Sequence, residues 1–197
     1  MKEYEARLMI DEEKYMLIVT YFMNINPNKH FLQNTNYYFD TDDLFLRKRH
    51  ITLRMRTIND IKSELTLKIK GGSNGDDEIK DGLTPKEADL LINQNIFPYG
   101  QVRNYLMLLP YSLDKFHRVA VLYNRRLEIE FDDYLFVIDK NTYGDTIDYN
   151  LEVESKISVK HAQDILKQYV DKFGLPVSKE KYVGKATRAI KEALKIS

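Results

Sequence analysis

The sequence predicts an α+β fold in which antiparallel strands turn their charged faces inward and close into a barrel with a polar lumen, while helices cover the apolar outer face. Three observations predict it. Apolar and polar residues alternate with a period of two in many short runs bounded by turn signals. Segments with helical start and stop signals are interspersed among those runs. On several runs the charged residues share one face and sort by sign.

The elements follow in order. Lys2 to Leu8 alternates charged and apolar residues and reads as the first strand. Asp11-Glu12-Glu13 opens a helix whose apolar residues run to Met23, and Asn24 to Asn28 is a loop. Strands follow over Asn34 to Asp40, Ile51 to Ile58 and Glu64 to Lys70, the last closed by a turn at Gly71-Gly72-Ser73-Asn74-Gly75. A short segment near Glu78 precedes Thr84-Pro85-Lys86-Glu87, where Thr84 caps, Pro85 takes the first helical position and Glu87 completes a capping box for a helix to about Asn93. Phe97 to Leu109 predicts a further helix, against the grain of Pro98, Gly100 and Pro110. In the second half strands fall near Phe116 to Tyr123, Arg125 to Phe131, Tyr134 to Lys140 and Tyr149 to Lys156. Ser158 to Phe173 is an amphipathic helix ended by Gly174 and Pro176, and Tyr182 to Ile196 is the last helix. Both halves share antiparallel strands with appended helices, and residues 1–197 read as one domain.

Composition narrows the function classes. Thirty Lys and Arg balance thirty Asp and Glu, which argues against a generally basic nucleic-acid surface or a polybasic membrane anchor. The absence of Cys excludes a disulfide framework and a Cys-ligated zinc site. With 197 residues, 43% of them hydrophobic, the chain can bury roughly 70% of its unfolded surface without such staples. The opening MKEYEARL is acidic within its first five residues and lacks the apolar core of a signal peptide. The longest apolar stretch, Tyr15 to Met23, is interrupted by Thr20 and is about half of the roughly 20 residues that span a bilayer. The expectation is a soluble cytoplasmic protein, monomer or homodimer, with no nucleic-acid or membrane partner.

Parity sorts the charges. Glu3, Glu5 and Arg7 oppose Tyr4, Ala6 and Leu8; Arg54 and Arg56 oppose Leu53 and Met55; Lys68 and Lys70 oppose Leu65, Leu67 and Ile69. Arg126, Glu128 and Glu130 oppose Leu127, Ile129 and Phe131, and Glu152, Glu154 and Lys156 oppose Leu151 and Val153. A sheet with one solvated face explains any single strand. It does not explain why Glu3 and Glu5, and Glu152 and Glu154, pair acids while Arg54 and Arg56, and Lys68 and Lys70, pair bases. Neighbouring carboxylates raise one another's pKa unless positive charge sits among them, and a divalent cation is the simplest source. Acids on some walls and bases on others would hold a cation against a polyanion, with polyphosphate the obvious polyanion.

At Glu3-Tyr4-Glu5-Ala6-Arg7 the chain resembles the CYTH superfamily, the triphosphate tunnel metalloenzymes. The resemblance continues in order through Leu53-Arg54-Met55-Arg56, Leu65-Thr66-Leu67-Lys68, Glu78, Asn124-Arg125-Arg126, Ile138-Asp139-Lys140, Leu151-Glu152-Val153-Glu154 and Gly184-Lys185-Ala186-Thr187-Arg188. It implies an eight-stranded antiparallel tunnel and hydrolysis of a triphosphate (inorganic tripolyphosphate, a nucleoside triphosphate or thiamine triphosphate) with Mg²⁺ or Mn²⁺. An adenylate cyclase of the same superfamily, or a polyphosphate- or nucleotide-binding module without turnover, are the alternatives. Candidate metal ligands are Glu3, Glu5, Glu78, Glu130, Asp139, Glu152 and Glu154. Candidate phosphate ligands are Arg54, Arg56, Lys68, Lys70, Arg126, Lys185 and Arg188, with Arg7, Lys68 and Lys185 as candidate catalytic residues. Arg7 stands where the family usually has Lys; both neutralise phosphate, but Arg stays protonated and presents a planar fork. Parity with Glu128 and Glu130 selects Arg126 over Arg125 as the inward base.

Other features read as structural. The Gly71–Gly75 run lacks the Gly-Lys-Ser/Thr ending of a phosphate loop. His30, His50, His117 and His161 have no ligand spacing. Arg47-Lys48-Arg49 reads as a solvated turn and Tyr37-Tyr38-Phe39 as wall and core. No Ser-centred elbow or Cys nucleophile supports covalent catalysis.

Overall fold

In chain order the elements are β1 (Tyr4–Ile10), α1 (Glu12–Ile25), β2 (Leu32–Asp40), α2 (Phe45–Lys48), β3 (Ile51–Ile58), β4 (Lys62–Ile69), β5 (Asp77–Leu83), α3 (Pro85–Gln94), α4 (Gln101–Leu106), β6 (His117–Glu130), β7 (Tyr134–Tyr143), β8 (Thr146–Ser155), α5 (Val159–Phe173) and α6 (Lys185–Leu194). The structure is a computed structural model that describes residues 4–71, 77–176 and 182–196. The strands form one sheet in the order β1-β8-β7-β6-β2-β3-β4-β5. β1 with β8, β8 with β7, β2 with β3, β3 with β4 and β4 with β5 all pair antiparallel. This is the α+β class that the alternation and the helix signals predict, with the eight strands that the family resemblance implies. No helix among the described residues is long and apolar enough to cross a membrane.

Local chemistry sets the element ends. The Asp11 side chain caps α1 by accepting from the Lys14 N–H at 2.8 Å. At α3 both halves of the Thr84–Glu87 capping box are made. Gly174 ends α5 with φ of +58°, a conformation that costs glycine no Cβ clash. Four expectations are corrected. The two strands expected around Asn124 are one strand, β6, because Asn124 turns its amide into a buried network instead of opening a turn. The helix expected from Phe97 starts only at Gln101, after Pro98 and Gly100. The segment between Lys140 and Tyr149 continues both strands to a two-residue hairpin with Gly144 at φ +53°. Arg47 and Lys48 belong to α2, whose start is fixed by Asp40 accepting from the Thr41, Leu46 and Arg47 N–H groups. The expected Gly71–Gly75 turn lies, from Gly72 on, outside the described residues.

Apart from Met1, the chain divides into two compact units, one of Gln33–Tyr123 and Gly184–Ser197, the other of Lys2–Leu32 and Asn124–Val183. In the first, the odd residues of β3 and β4 (Leu53, Met55, Leu65 and Leu67) are buried with Leu91 of α3 and Leu106 of α4. In the second, Ala6, Ile129, Phe136 and Leu151 are buried with Phe22 of α1 and Phe173 of α5. Each unit thus covers the apolar strand faces with its own helices.

The α4 start offers a stability test. A Cβ on Gly100 would come 2.4 Å from Oδ2 of Asp81, whose carboxylate accepts from the Gln101 and Val102 N–H groups at 3.1 and 2.8 Å. Gly100→Ala should displace that carboxylate and lower stability by about 1–2 kcal/mol. The urea midpoint should fall with an unchanged slope; an unmoved midpoint would show that Asp81 does not hold α4.

Candidate functional site

The polar strand faces of the two units carry different charge. In the second unit, cross-strand register sets Glu5 opposite Glu154 and Arg7 opposite Glu152. Opposed carboxylates repel, and two guanidiniums offset this. Arg7 pairs with Glu5 and, through Nε at 3.2 Å, with Glu152, while lying over the Tyr182 ring. Arg126 donates from Nε and a terminal nitrogen to Asp139 at 2.9 and 3.0 Å and to Glu152 at 3.2 Å, with Glu128 and Glu154 at 3.5 and 3.8 Å. Burial works against the charge of Arg126, but Asp139, Glu152 and Glu154 outweigh it and hold its pKa well above the ordinary value. Arg125 instead lies over the Phe31 ring.

Asp139 is fully buried and also accepts from Asn124 at 2.9 Å and Asn150 at 3.4 Å. Asn141 accepts from Asn124 and donates to Asp148 and Asn150. The Asp139 oxygens are therefore engaged from both neighbouring strands, β6 and β8, and the aspartate orients Arg126.

In the first unit the even residues of β3 and β4 form the corresponding face. Arg54 lies opposite Thr66, Arg56 opposite Glu64, and Thr52 opposite Lys68. Across β4 and β5, Thr66 faces Lys80 and Lys68 faces Glu78. Arg56 Nε donates to Asn36 at 3.0 Å. Glu64, 6% exposed, has Arg54, Arg56 and Lys80 at 3.9–4.0 Å. The Arg54 Nε and the Thr66 hydroxyl are buried and make no hydrogen bond among the described residues.

The expected site residues distribute unevenly. Glu5, Arg7, Arg126, Asp139, Glu152 and Glu154 gather in the second unit. Glu130 shares their parity but is exposed at the strand end. Arg54, Arg56 and Lys68 share the face in the first unit, where Glu78 pairs with Lys80 at 3.4 Å. Lys70 lies past the end of β4 and is exposed. Lys185 and Arg188 are half-buried at the start of α6. Glu3 lies outside the described residues. Sequence reasoning missed Glu64, Thr66 and Lys80, although Glu64 and Thr66 share parity with Lys68, and Lys80 with Glu78. It also missed Asn124, Asn141 and Asn150, which share parity with Arg126, Asp139 and Glu152.

The donor chemistry of the second unit fits a hard divalent cation: only carboxylate oxygens are offered, and Glu5, Glu128, Asp139, Glu152 and Glu154 outnumber the guanidiniums of Arg7 and Arg126. Among the described residues no three of these groups converge on one point, because Arg126 reaches into the cluster.

A family model described as CYTH domain matches residues 1–181. The Bacillus subtilis (strain 168) protein named "Putative triphosphatase YjbK" is 33% identical over 149 residues, covering 73% of this chain and 76% of that protein. The fold is similar to the crystal structure of a "putative adenylate cyclase" from Bacillus halodurans, with a TM-score of 0.83 and 25% identity over 95% of this chain and 96% of the other. It is also similar to a "putative adenylyl cyclase" from Hippeastrum, described as having a dominant triphosphatase activity. That TM-score is 0.78 at 17% identity over 99% and 97% of the two chains, a likeness of fold alone.

Proposed function

The chain belongs to the CYTH domain family, and from that premise we propose that it is a triphosphatase that hydrolyses a phosphoanhydride bond with the help of Mg²⁺ or Mn²⁺. The observation that carries this reading is the cationic face of β3 and β4, on which the buried Arg54 Nε and Thr66 hydroxyl lack an acceptor among the described residues. Buried donors are costly to leave unmade, and anionic phosphate oxygens supply what they need.

Arg54, Arg56 and Lys68, with Lys185 and Arg188 from α6, bind and orient the phosphate chain. Water adds across the terminal P–O–P linkage, giving orthophosphate and the shortened chain, and the fixed cations neutralise charge on the phosphate oxygens as the bond breaks. In the second unit Glu5, Glu152 and Glu154, with Glu3 read from the sequence alone, would hold the divalent cation, and a bound cation of this kind supplies Lewis-acid chemistry. Arg7 and Arg126 keep those carboxylates paired and in place, and Asp139 positions Arg126.

The test is incubation with Mg²⁺ and tripolyphosphate, ATP or thiamine triphosphate, with products identified. Orthophosphate release supports the triphosphatase; cyclic AMP with pyrophosphate would make it a cyclase, and binding without products a module. In the same assay Glu152→Gln combined with Glu154→Gln keeps the side-chain shapes and removes two charges. Cation affinity and turnover should collapse while the chain stays folded, since Arg126 retains Asp139. Wild-type turnover in that variant would remove the pair from the reaction.

A further inference from the structure

The cationic face of β3, β4 and β5 contains an anion of its own. Glu64 is 6% exposed, lies directly across the strands from Arg56 and Gly82, and is surrounded by Arg54 at 3.9 Å, Arg56 at 4.0 Å and Lys80 at 4.0 Å. Those separations are ionic contacts beyond hydrogen-bond length. A carboxylate that nature placed among three cations would ordinarily take at least one short, charge-assisted bond. Here the strongest donors of the face are aimed elsewhere: Arg56 Nε goes to Asn36, and the Arg54 Nε and Thr66 hydroxyl are buried with no partner among the described residues. The unpartnered buried donors point to a ligand, and the loosely held carboxylate is what that ligand must compete with.

Resting on the triphosphatase reading, we propose that Glu64 is a built-in competitor for the phosphate-binding cations, a positioning residue that keeps the face weak for phosphate so that products leave. Without a ligand, Glu64 supplies the countercharge that Arg54, Arg56 and Lys80 require. A bound phosphate chain takes over those cations, and the buried Glu64 charge then lies close to the ligand and repels it. A long, highly charged chain reaches enough donors to offset that repulsion. Pyrophosphate and orthophosphate reach fewer and are released. The sequence alone hides this, since a single acid at the start of a basic strand looks like a surface residue.

Removing the charge while keeping the shape should tighten binding of every phosphate ligand and slow turnover. In Glu64→Gln, isothermal titration with pyrophosphate in the presence of Mg²⁺ should show affinity increased on the order of tenfold, the gain expected when one close like charge is removed. KM for tripolyphosphate and kcat should fall together, because product release becomes limiting. Glu64→Asp, which keeps the charge, should stay near wild type in both respects. Pyrophosphate affinity unchanged or weakened in Glu64→Gln, with melting temperature retained, would overturn the proposal and leave Glu64 as a strut for the arginines. If Glu64→Gln does not fold, Glu64→Asp decides: weakened pyrophosphate binding and a raised KM would overturn the proposal, and wild-type values would support it. Failure of the wild-type protein to bind tripolyphosphate or pyrophosphate would instead sink the triphosphatase reading and this inference with it.

Discussion

Replacing Arg54 and Arg56 together by Ala should lower kcat/KM for the triphosphate substrate by roughly two to four decades, because each lost charge-assisted contact is worth on the order of 1.5–3 kcal/mol. Both residues lie on the polar face of β3, opposite Thr66 and Glu64, with their strand neighbours Leu53 and Met55 in the core. Divalent-cation affinity should change little, since the carboxylates assigned to the cation belong to the other unit. Among the described residues the substitution also leaves Glu64 with Lys80 as its remaining ionic contact. The three contacts are at 3.9–4.0 Å, so the stability lost should be modest beside the loss of turnover. Measuring kcat/KM, melting temperature and Mg²⁺ binding on the same variant separates the roles. Near-wild-type turnover would mean that the arginines are ordinary solvated-face residues, whose substitution changes stability by less than about 0.5 kcal/mol, and the anion site would be gone.

The strand faces were legible because the pleat fixes a period of two. Once Leu53, Met55, Leu65 and Leu67 are assigned inward to the helices, Arg54, Arg56 and Lys68 can only lie on the other side. The α3 start was legible for a similar reason: Thr84, Pro85 and Glu87 each have a geometric requirement that only a helix N-terminus meets. Asn124 defeated the same logic. Asn is a turn residue when its amide bonds locally, but here it bonds Asp139 and Asn141 on a neighbouring strand, and the strand runs straight through. Glu64 was passed over because sign-sorting rewards pairs of like charge, and an acid among bases carries its meaning only when the cross-strand partners are known. Asp139 had the residue type and position of a metal ligand. Its partners Asn124, Arg126 and Asn150 come from two other strands, and nothing in the spacing announces that they take up its oxygens.

That last point separates two roles for Asp139 by a measurement that needs no substrate. Asp139→Asn should destabilise the metal-free protein by about 2–4 kcal/mol, and Asp139→Ala by about 3–5 kcal/mol, as expected when one partner of a buried ion pair is removed. The conservative variant is the informative one. Oδ1 accepts from Asn124 and the Arg126 Nε, and Oδ2 from a terminal nitrogen of Arg126 and from Asn150. Whichever way an asparagine amide turns, its NH₂ group meets two donors, so the loss comes from donor–donor conflict as well as from lost charge. Such a cost is a large fraction of the roughly 5–15 kcal/mol that keeps a domain folded. A residue acting only as a metal ligand predicts the reverse, since trading a carboxylate for an amide in an acid-rich cluster relieves repulsion and raises metal-free stability. Thermal or urea unfolding in the presence of a chelator therefore decides between them. A melting temperature in Asp139→Asn at or above that of the wild type would refute the positioning role; a clear fall, with Glu152→Gln/Glu154→Gln remaining folded, would fix Asp139 as the residue that aims Arg126 into the acidic face.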